Sequence, residues 1–249
     1  PLVTASIVGK KLAGGADVFI MDVKAGRGAL FESQPRALRL ARWLKRAAEE
    51  AGRRCVCLLT EMGVPLGRMV GNALEVEEAL AVLDGEHIPE VRELALELVA
   101  RGLVAAGLVA DVVEARDMAR RRLDDGSARE VFARMLAAQG GDLAAFARRK
   151  RGGAHTGELM APRSGWLRRL DARTVGRAAL MAGAGTDDPE AGVQLLAKRG
   201  ERVNAGNPLL VVHASTGERL AAALKELAGS LAVGDEPPGP RRLIRRVLD

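Results

Sequence analysis

An apolar segment, an amphipathic segment and a second apolar segment follow one another within the first sixty residues. Residues 16–23 and 54–60 are short apolar runs typical of buried strands, and residues 35–51 carry apolar side chains at helical spacing with Pro35 near the start. A helix that connects two neighbouring parallel strands of one sheet crosses over in the right-handed sense in nearly all proteins. We therefore predict an α/β protein with a mostly parallel sheet flanked by helices.

The rest of the chain divides by pattern. From residue 71 to about 148 the pattern is helical, and its segments close at glycines or glycine-containing turns. Residues 148–165, rich in Arg and Gly, are interpreted as a linker. The following segment alternates short strands with two helices and finishes in a loop and a last edge strand. We predict three parts: the remnant of a helical lobe at 1–13, an α/β domain at 14–155 and a carboxy-terminal subdomain at 156–249.

Composition excludes several classes of protein. A chain of 249 residues that is 48% hydrophobic is long enough to bury a sizeable core. No apolar run approaches the ~20 residues that cross a bilayer, and the first residues lack the pattern of a secretory signal. We therefore expect no membrane partner and a cytoplasmic location.

The net charge of +6 could indicate binding to nucleic acid. Aromatic residues make up only 2% of the chain, however, and the arginines are spread along helices. Single-strand binding would lack its usual stacking side chains, and no DNA-binding motif is recognisable. We predict no nucleic-acid partner, although a modest positive field favours small anions such as phosphate.

Two cysteines lie on one predicted strand. Cys55 and Cys57 are two residues apart, so their side chains share a face of that strand. Zinc spacing would need two intervening residues and a second pair of ligands. We predict buried, unreactive thiols rather than a metal site or a disulfide.

Lysine is rare in this chain and is concentrated near its start. Only seven of the 38 basic residues are lysines, and three of them, Lys10, Lys11 and Lys24, lie between residues 6 and 30. Ser6 and Lys10 are one turn apart on a predicted helix, so a hydroxyl and an ammonium group could bind one small polar ligand. A plain helix hydroxyl and a solvated charge are the alternative. Lys11 is rotated by roughly 100° from Lys10 and is treated as secondary.

Asp22 and Lys24 share one face at the end of the first predicted strand. Gly26 and Gly28 follow, and glycines permit the close backbone approach that is common in ligand-binding loops. The two charged residues could contact a ligand there, or they could form a salt bridge that only holds the loop. The sequence leaves both interpretations open.

Two long blocks carry a family resemblance. TASIVGKKLAGGADVFIMDVKAGRGALF at 4–31 and LLTEMGVPLGRMVGNALEVEEAL at 58–80 resemble the thymidine phosphorylase and pyrimidine-nucleoside phosphorylase family, and similarity continues at 123–142 and 164–180. The resemblance implies that residues 1–13 belong to an all-helical lobe. It also implies a barrel-like hammerhead subdomain at the carboxy terminus, whose characteristic turn would lie at 200–209.

The resemblance also implies an activity. Family members use phosphate to cleave thymidine or a related pyrimidine nucleoside, giving the free base and 2-deoxyribose 1-phosphate. The matching residues, Ser6 and Lys10, would hold the base, and the Lys10 ammonium would stabilise the departing anion. Asp22 and Lys24 would be loop contacts, and the intact protein would be a homodimer in pyrimidine salvage.

A potassium ion is the one cofactor that the resemblance suggests, with no organic group beside it. The carbonyl oxygens of Leu66 and Met69 and the carboxylate of Glu78 match the family's ligands, and an oxygen-only set suits a hard cation. Alternatively, Glu75, Glu77 and Glu78 could be a solvated helix start that the helix dipole favours.

Two parts of the family's site have no match in this sequence. An arginine that grips the base and a glycine-rich phosphate loop precede the Ser6 segment in the family. We therefore expect the chain to be an incomplete, inactive piece of a phosphorylase. A non-catalytic remnant or interaction module is the alternative. An anthranilate phosphoribosyltransferase-like enzyme is a further one, which the hammerhead-like tail disfavours.

Overall fold

The computed structural model describes residues 2–185 and 187–249, so Pro1, the first residue of the predicted helical remnant, lies outside the described residues. Two compact units are formed, and each is built from separated segments. The first comprises Pro1–Gly63, His87–Asp125 and Arg241–Asp249, and the second comprises Val64–Glu86 and Gly126–Pro240. The boundaries predicted after residues 13 and 155 do not coincide with this division.

Helices and strands alternate at both ends of the chain and enclose a helical middle. In chain order the elements are α1 (Leu2–Ala13), β1 (Val18–Ala25), α2 (Gln34–Glu50), β2 (Arg54–Glu61), β3 (Met69–Val70), α3 (Asn72–Leu83), α4 (Pro89–Ala105), α5 (Val112–Asp124), α6 (Ser127–Ala138), α7 (Leu143–Arg148), β4 (His155–Met160), β5 (Gly165–Leu170), α8 (Ala172–Ala182), β6 (Gly192–Leu195), β7 (Arg202–Val203), β8 (Pro208–Ala214), α9 (Gly217–Ala228), β9 (Leu231–Gly234) and β10 (Ile244–Leu248).

The strand, helix, strand prediction for the first sixty residues is confirmed. β1 and β2 are parallel, in register from Val18 opposite Arg54 to Ala25 opposite Glu61. Between them α2 packs its apolar stripe against the sheet because its buried residues recur at helical spacing. These buried positions are Ala37, Leu40, Ala41, Leu44 and Ala48.

Both cysteines lie in this core, as predicted. Cys55 and Cys57 are free and buried, with their sulfur atoms 3.9 Å apart. The hydrogen bond between the two thiols, and then burial, raises the pKa of Cys57 far above its ordinary value. A thiol in this environment is protonated at neutral pH and unreactive.

The prediction of a mostly parallel sheet holds only for the β1 and β2 pair. Among the described residues every other strand pairing within the three sheets is antiparallel, including β10 against β2. Helices α4 to α7 follow one another without a strand between them, so no further crossover adds a parallel strand. β10 completes the first sheet as the last edge strand, which the sequence predicted.

The second unit contains two antiparallel sheets, ordered β3-β6-β8-β4 and β7-β5-β9, with helices α8 and α9. Its core joins these helices to the larger sheet through residues such as Val175, Val193, Leu210 and Leu227. The strands and the two helices predicted for this part of the chain are therefore present. No helix in the described part of the chain has the length and apolarity that crossing a bilayer requires.

The linker predicted over 148–165 is wrong for its central part. Residues His155–Met160 form β4, which pairs antiparallel with β8 at the edge of the larger sheet. Gly157 faces α9, where an added Cβ would lie 3.1 Å from Leu224. Glycine at this inward position removes the apolar side chain that would have marked a strand, so the segment looked like a loop.

The packing around Gly26 in the first unit can be tested by substitution. Gly26 adopts φ 132°, and an added Cβ would lie 2.4 Å from the backbone nitrogen of Gly63. Gly26→Ala is expected to lower the free energy of unfolding by about 2 to 4 kcal/mol through backbone strain and steric clash. Urea denaturation followed by circular dichroism measures it. Gly52→Ala is the control, since Gly52 also has a positive φ but faces open space. Equal losses for the two variants would contradict the packing argument.

Candidate functional site

The ends of β1 and β2 lie side by side, and backbone hydrogen bonds join the segments that follow them. The backbone nitrogen of Met62 donates to the carbonyl of Ala25 over 2.8 Å, and the nitrogen of Gly28 donates to the carbonyl of Met62 over 2.8 Å. The loop after β1 is thereby fixed to the residue that follows β2. Polar side chains near these strand ends are held on a rigid support, as in other α/β proteins.

Asp22, Lys24 and Thr60 form a polar cluster at these strand ends. Parallel register places Thr60 beside Lys24, and Asp22 precedes Lys24 on the same face. One carboxylate oxygen of Asp22 lies 2.6 Å from Nζ of Lys24, and the other accepts a hydrogen bond from the Thr60 hydroxyl. The salt bridge considered from the sequence is present. Contact of Asp22 and Lys24 with a ligand stays a prediction.

The ammonium group of Lys24 is held in an unusual setting. Its nitrogen is shielded from solvent and, apart from the ion pair with Asp22, has no hydrogen-bond partner among the described residues. An ammonium group has three donors, so this one retains bonding capacity. Asp22 orients this ammonium group through the ion pair, and Thr60 in turn holds Asp22 through its hydrogen bond.

A cavity of about 480 Å³ opens beside this cluster. Lys11, Asp22 and Lys24 supply charged groups to its wall, and Ile7, Leu30 and Phe31 contribute to the apolar part. A few polar groups within an apolar wall are typical of small-molecule sites. The cavity therefore suits a small molecule that has both apolar and polar groups.

Ser6 and Lys10, the predicted base-binding pair, lie on helix α1 as expected, and both are exposed. They do not line this cavity, whereas Ile7 and Lys11, one position further along, do. Consecutive helical residues point roughly 100° apart, so one pair can face the cavity while the other does not. Lys11, treated as secondary in the sequence, is the lysine of α1 that reaches the cavity. The role of Ser6 and Lys10 stays a prediction.

A second cavity, of about 350 Å³, lies between α1 and α2. Arg36 and Arg39 contribute cationic groups and Trp43 an aromatic wall. The hydroxyl of Thr4, which also lines it, is buried and has no hydrogen-bond partner in the described structure. Sequence reasoning missed this cavity because nothing separates these two arginines from the others on the same helix.

Glu78, the carboxylate of the predicted potassium site, lies in the second unit and is buried. Its Oε1 atom accepts a hydrogen bond of 2.6 Å from the backbone nitrogen of Arg68. Burial raises the pKa of Glu78, and backbone hydrogen bonds from Arg68 and Met69 and the charge of Lys198 oppose that increase. A solvated helix start describes the exposed Glu75 but not Glu78.

Lys198 brings a cation of the chain itself to the same loop. Its Nζ atom donates to the carbonyl oxygen of Pro65 over 2.7 Å and also to that of Gly67. Backbone carbonyls beside the predicted ligands therefore already hold an ammonium group. Potassium at Leu66, Met69 and Glu78 stays a prediction from the resemblance, and Lys198 is its rival at this loop.

Sequence reasoning missed Thr60 and Lys198 for different reasons. Thr60 could have been found, since pairing the two predicted strands in parallel places it beside Lys24. Lys198 is far from residues 65–67 along the chain and gives no local signal. Among the described residues no group of three or more His, Cys, Asp or Glu side chains is arranged to hold a metal ion.

The raised pKa of Glu78 predicts a pH dependence of stability. A carboxyl whose pKa is higher in the folded state contributes stability at low pH, and this contribution is lost as pH rises through the folded-state pKa. Wild type should therefore lose stability relative to Glu78→Gln as pH rises from acidic to neutral, measured as the difference between their thermal midpoints. Glu75→Gln is the control on the same helix. A difference that stays constant, or moves in favour of wild type, would contradict the argument.

Comparison with known proteins matches two parts of the chain to family models. The family model described as "Glycosyl transferase family, a/b domain" matches residues 1–129, and "Pyrimidine nucleoside phosphorylase C-terminal domain" matches residues 166–234. A protein of Mycobacterium tuberculosis named thymidine phosphorylase is 42% identical over 250 residues, which cover 98% of this chain and 56% of that protein. A thymidine phosphorylase of Burkholderia cenocepacia is 37% identical over 256 residues, covering 99% and 58%.

The chain thus spans a little more than half the length of these curated relatives. Similarity nevertheless extends over nearly all of this chain and includes the strand ends, the cavity wall and the Glu78 loop described above. The chain belongs to the thymidine phosphorylase and pyrimidine-nucleoside phosphorylase family of glycosyl transferases.

Proposed function

We propose that this chain is part of an enzyme that uses phosphate to cleave thymidine or a related pyrimidine nucleoside. One observation carries the proposal: the cavity at the strand ends, with Lys11, Asp22 and Lys24 in its wall, lies within the segment that matches the glycosyl transferase family. The relatives' name, thymidine phosphorylase, supports the choice of reaction and of substrate class.

The reaction requires charge stabilisation more than covalent chemistry from the protein. An oxygen of phosphate forms a bond to C1′ of the sugar while the bond from C1′ to the base nitrogen breaks. The electron pair of that bond goes to the base, which then takes up a proton. The products are the free pyrimidine and 2-deoxyribose 1-phosphate. A fixed ammonium group near the base stabilises the negative charge that it gains on leaving.

The residues divide between holding the base and supporting the loop. We assign the base to Ser6 and Lys10, following the family resemblance, and loop contacts to Asp22 and Lys24. Lys11 is an additional candidate because it lines the cavity together with Lys24. Asp22 and Thr60 are positioning residues that fix the Lys24 ammonium.

The same proposal predicts the substrates, the cellular location and the oligomeric state. We expect phosphate and a pyrimidine nucleoside as the substrates, a cytoplasmic location and a homodimer for the intact protein. The match to the pyrimidine nucleoside phosphorylase C-terminal domain supports a hammerhead-like subdomain within 156–249. Light scattering on the purified intact protein measures the oligomeric state.

A non-catalytic module is the second candidate, favoured by the fact that the chain spans only 56% of the Mycobacterium tuberculosis relative. The coding sequence upstream of Pro1 separates the two functions. An in-frame segment with a Lys-x-Ser-x-Gly-Gly loop supports the enzyme, whereas a stop codon or an unrelated segment supports the module.

Lysine substitutions test the assignment of the base site. In the longest protein whose reading frame contains this chain, Lys10→Ala is expected to lower the rate of thymidine phosphorolysis at least ~100-fold, because removing one oriented donor to a developing anion costs ~2.7 to 4 kcal/mol. Lys24→Ala should have a smaller effect. Lys225→Ala is the control, since that lysine is exposed in the second unit. Initial rates follow from the ultraviolet change on cleavage.

Lys11→Ala distinguishes the family assignment from the cavity observed beside Lys24. A loss confined to Lys10→Ala supports the assigned base site. A large loss for Lys11→Ala with near-normal activity of Lys10→Ala would move the base site to the cavity wall. Activity of both variants within a few-fold of wild type would remove any leaving-group role for these lysines.

The 249-residue chain alone is expected to show weak or undetectable thymine binding and no phosphate-dependent release of base. Holding both reactants contributes ~7 to 11 kcal/mol to such reactions, and the family's phosphate loop has no match in this sequence. Calorimetry with thymine and the ultraviolet assay with thymidine measure the two quantities. Robust phosphate-dependent turnover would contradict this expectation and would direct attention to Lys24 and the loop that follows it.

A further inference from the structure

We propose that the Lys198 ammonium is the resident cation of the loop formed by residues 65–69, where it is bound by the carbonyl oxygens of Pro65 and Gly67, beside the oxygens that the family resemblance gives to potassium. The proposal concerns the second unit only and does not depend on the proposed reaction. It predicts a loop whose structure is independent of monovalent metal ions.

The contacts of Lys198 are those of a bound cation. Lys198 is half-buried, and its Nζ atom donates to the carbonyl oxygens of Pro65, at 2.7 Å, and Gly67. Two carbonyls of one short loop thus converge on a single positive charge. Carbonyl oxygens are also what potassium sites use in place of water, so the ammonium group and the ion would compete for the same kind of surroundings.

The carboxylate predicted to bind potassium already has a hydrogen-bond partner within the chain. Glu78 is the buried carboxylate beneath the loop, and it is already hydrogen-bonded to the backbone nitrogen of Arg68. A second cation placed at this loop would be repelled by the ammonium group.

Contacts made by Arg68 of the loop also hold the segment that contains Lys198. Arg68 extends from the loop to the carbonyl of Leu196, at 2.9 Å, and to a carboxylate oxygen of Glu201, at 2.5 Å. The other oxygen of Glu201 accepts from the backbone nitrogen of Lys198 at 3.0 Å. The loop at 65–69 and the segment at 196–201 therefore each contribute one cationic side chain that binds the other. This reciprocal arrangement holds the ammonium group in place.

The experiment compares thermal unfolding of the full 249-residue chain in potassium, sodium and ammonium chloride at equal ionic strength. Wild type should unfold at the same midpoint in the potassium and sodium salts, within ~1 °C. Lys198→Met should lower the midpoint by about 4 to 8 °C in sodium chloride, since it removes two charge-assisted hydrogen bonds. Ammonium chloride should restore part of that loss, because its cation replaces the missing group.

Lys225→Met is the matched control, an exposed lysine of α9 that should change the midpoint by less than ~1 °C. A loss for Lys198→Met no larger than that of the control would overturn the proposal. So would a wild-type midpoint more than ~2 °C higher in potassium than in sodium.

Thallium(I), an anomalous scatterer that imitates potassium, gives a test without any variant. Crystals of wild type soaked in a thallium(I) salt should show no anomalous peak among the carbonyls of residues 65–69 and the Glu78 carboxylate. A peak at that position would show that the loop binds a metal ion in addition to Lys198, and would overturn the proposal even if Lys198→Met does not fold.

Discussion

The parallel pairing of β1 with β2 is the interaction on which the first unit depends. It sets Asp22, Lys24 and Thr60 in one cluster and fixes where the loop after β1 meets the residue after β2. A shift of register by one residue would turn every side chain of a strand to the opposite face. Lys24 would then take the place of Val23 in the apolar core. The site at the strand ends is therefore a direct product of the hydrogen bonds inside the sheet.

The spacing of apolar residues predicted most of the helices and strands that depend on local sequence. The two strands, α2 between them, the buried thiols, helices α8 and α9 and strands β5, β6 and β8 follow from apolar spacing, and each is present within a few residues. β4 was not predicted, because glycine takes the place of an apolar side chain at the inward-facing position 157. The parallel sheet was overestimated because β10, an antiparallel partner from the far end of the chain, occupies the free edge of β2.

The candidate site was predictable in part, for the same reason. Asp22 and Lys24 are close in sequence, so their ion pair could be foreseen. Lys198 depends on contacts across more than a hundred residues, and the side of α1 that faces the cavity depends on how the helix is rotated against its neighbours. Neither the long-range contacts of Lys198 nor the rotation of α1 can be predicted from a short stretch of sequence.

Lysine and arginine do different work in this chain. Lys45 and Lys198 each donate to backbone carbonyls, of Cys55 in one case and of Pro65 and Gly67 in the other. Arginines form most of the side-chain ion pairs among the described residues, such as Arg149 between Glu77 and Glu190. A compact ammonium group suits a single carbonyl or a small cage, whereas the planar guanidinium suits carboxylates.

The position of β10 also has a consequence for synthesis of the protein. β2 lies between β1 and β10, yet β10 is translated only after the whole of the second unit. At roughly 5 to 20 residues per second, one edge of β2 waits about 10 to 40 s for its partner. During that interval its backbone donors and acceptors are open to other chains. Glu61, buried in the finished fold, also lacks Arg245 until β10 arrives. The nascent chain is therefore most exposed to misassembly at the strand that later lies at the centre of its first sheet.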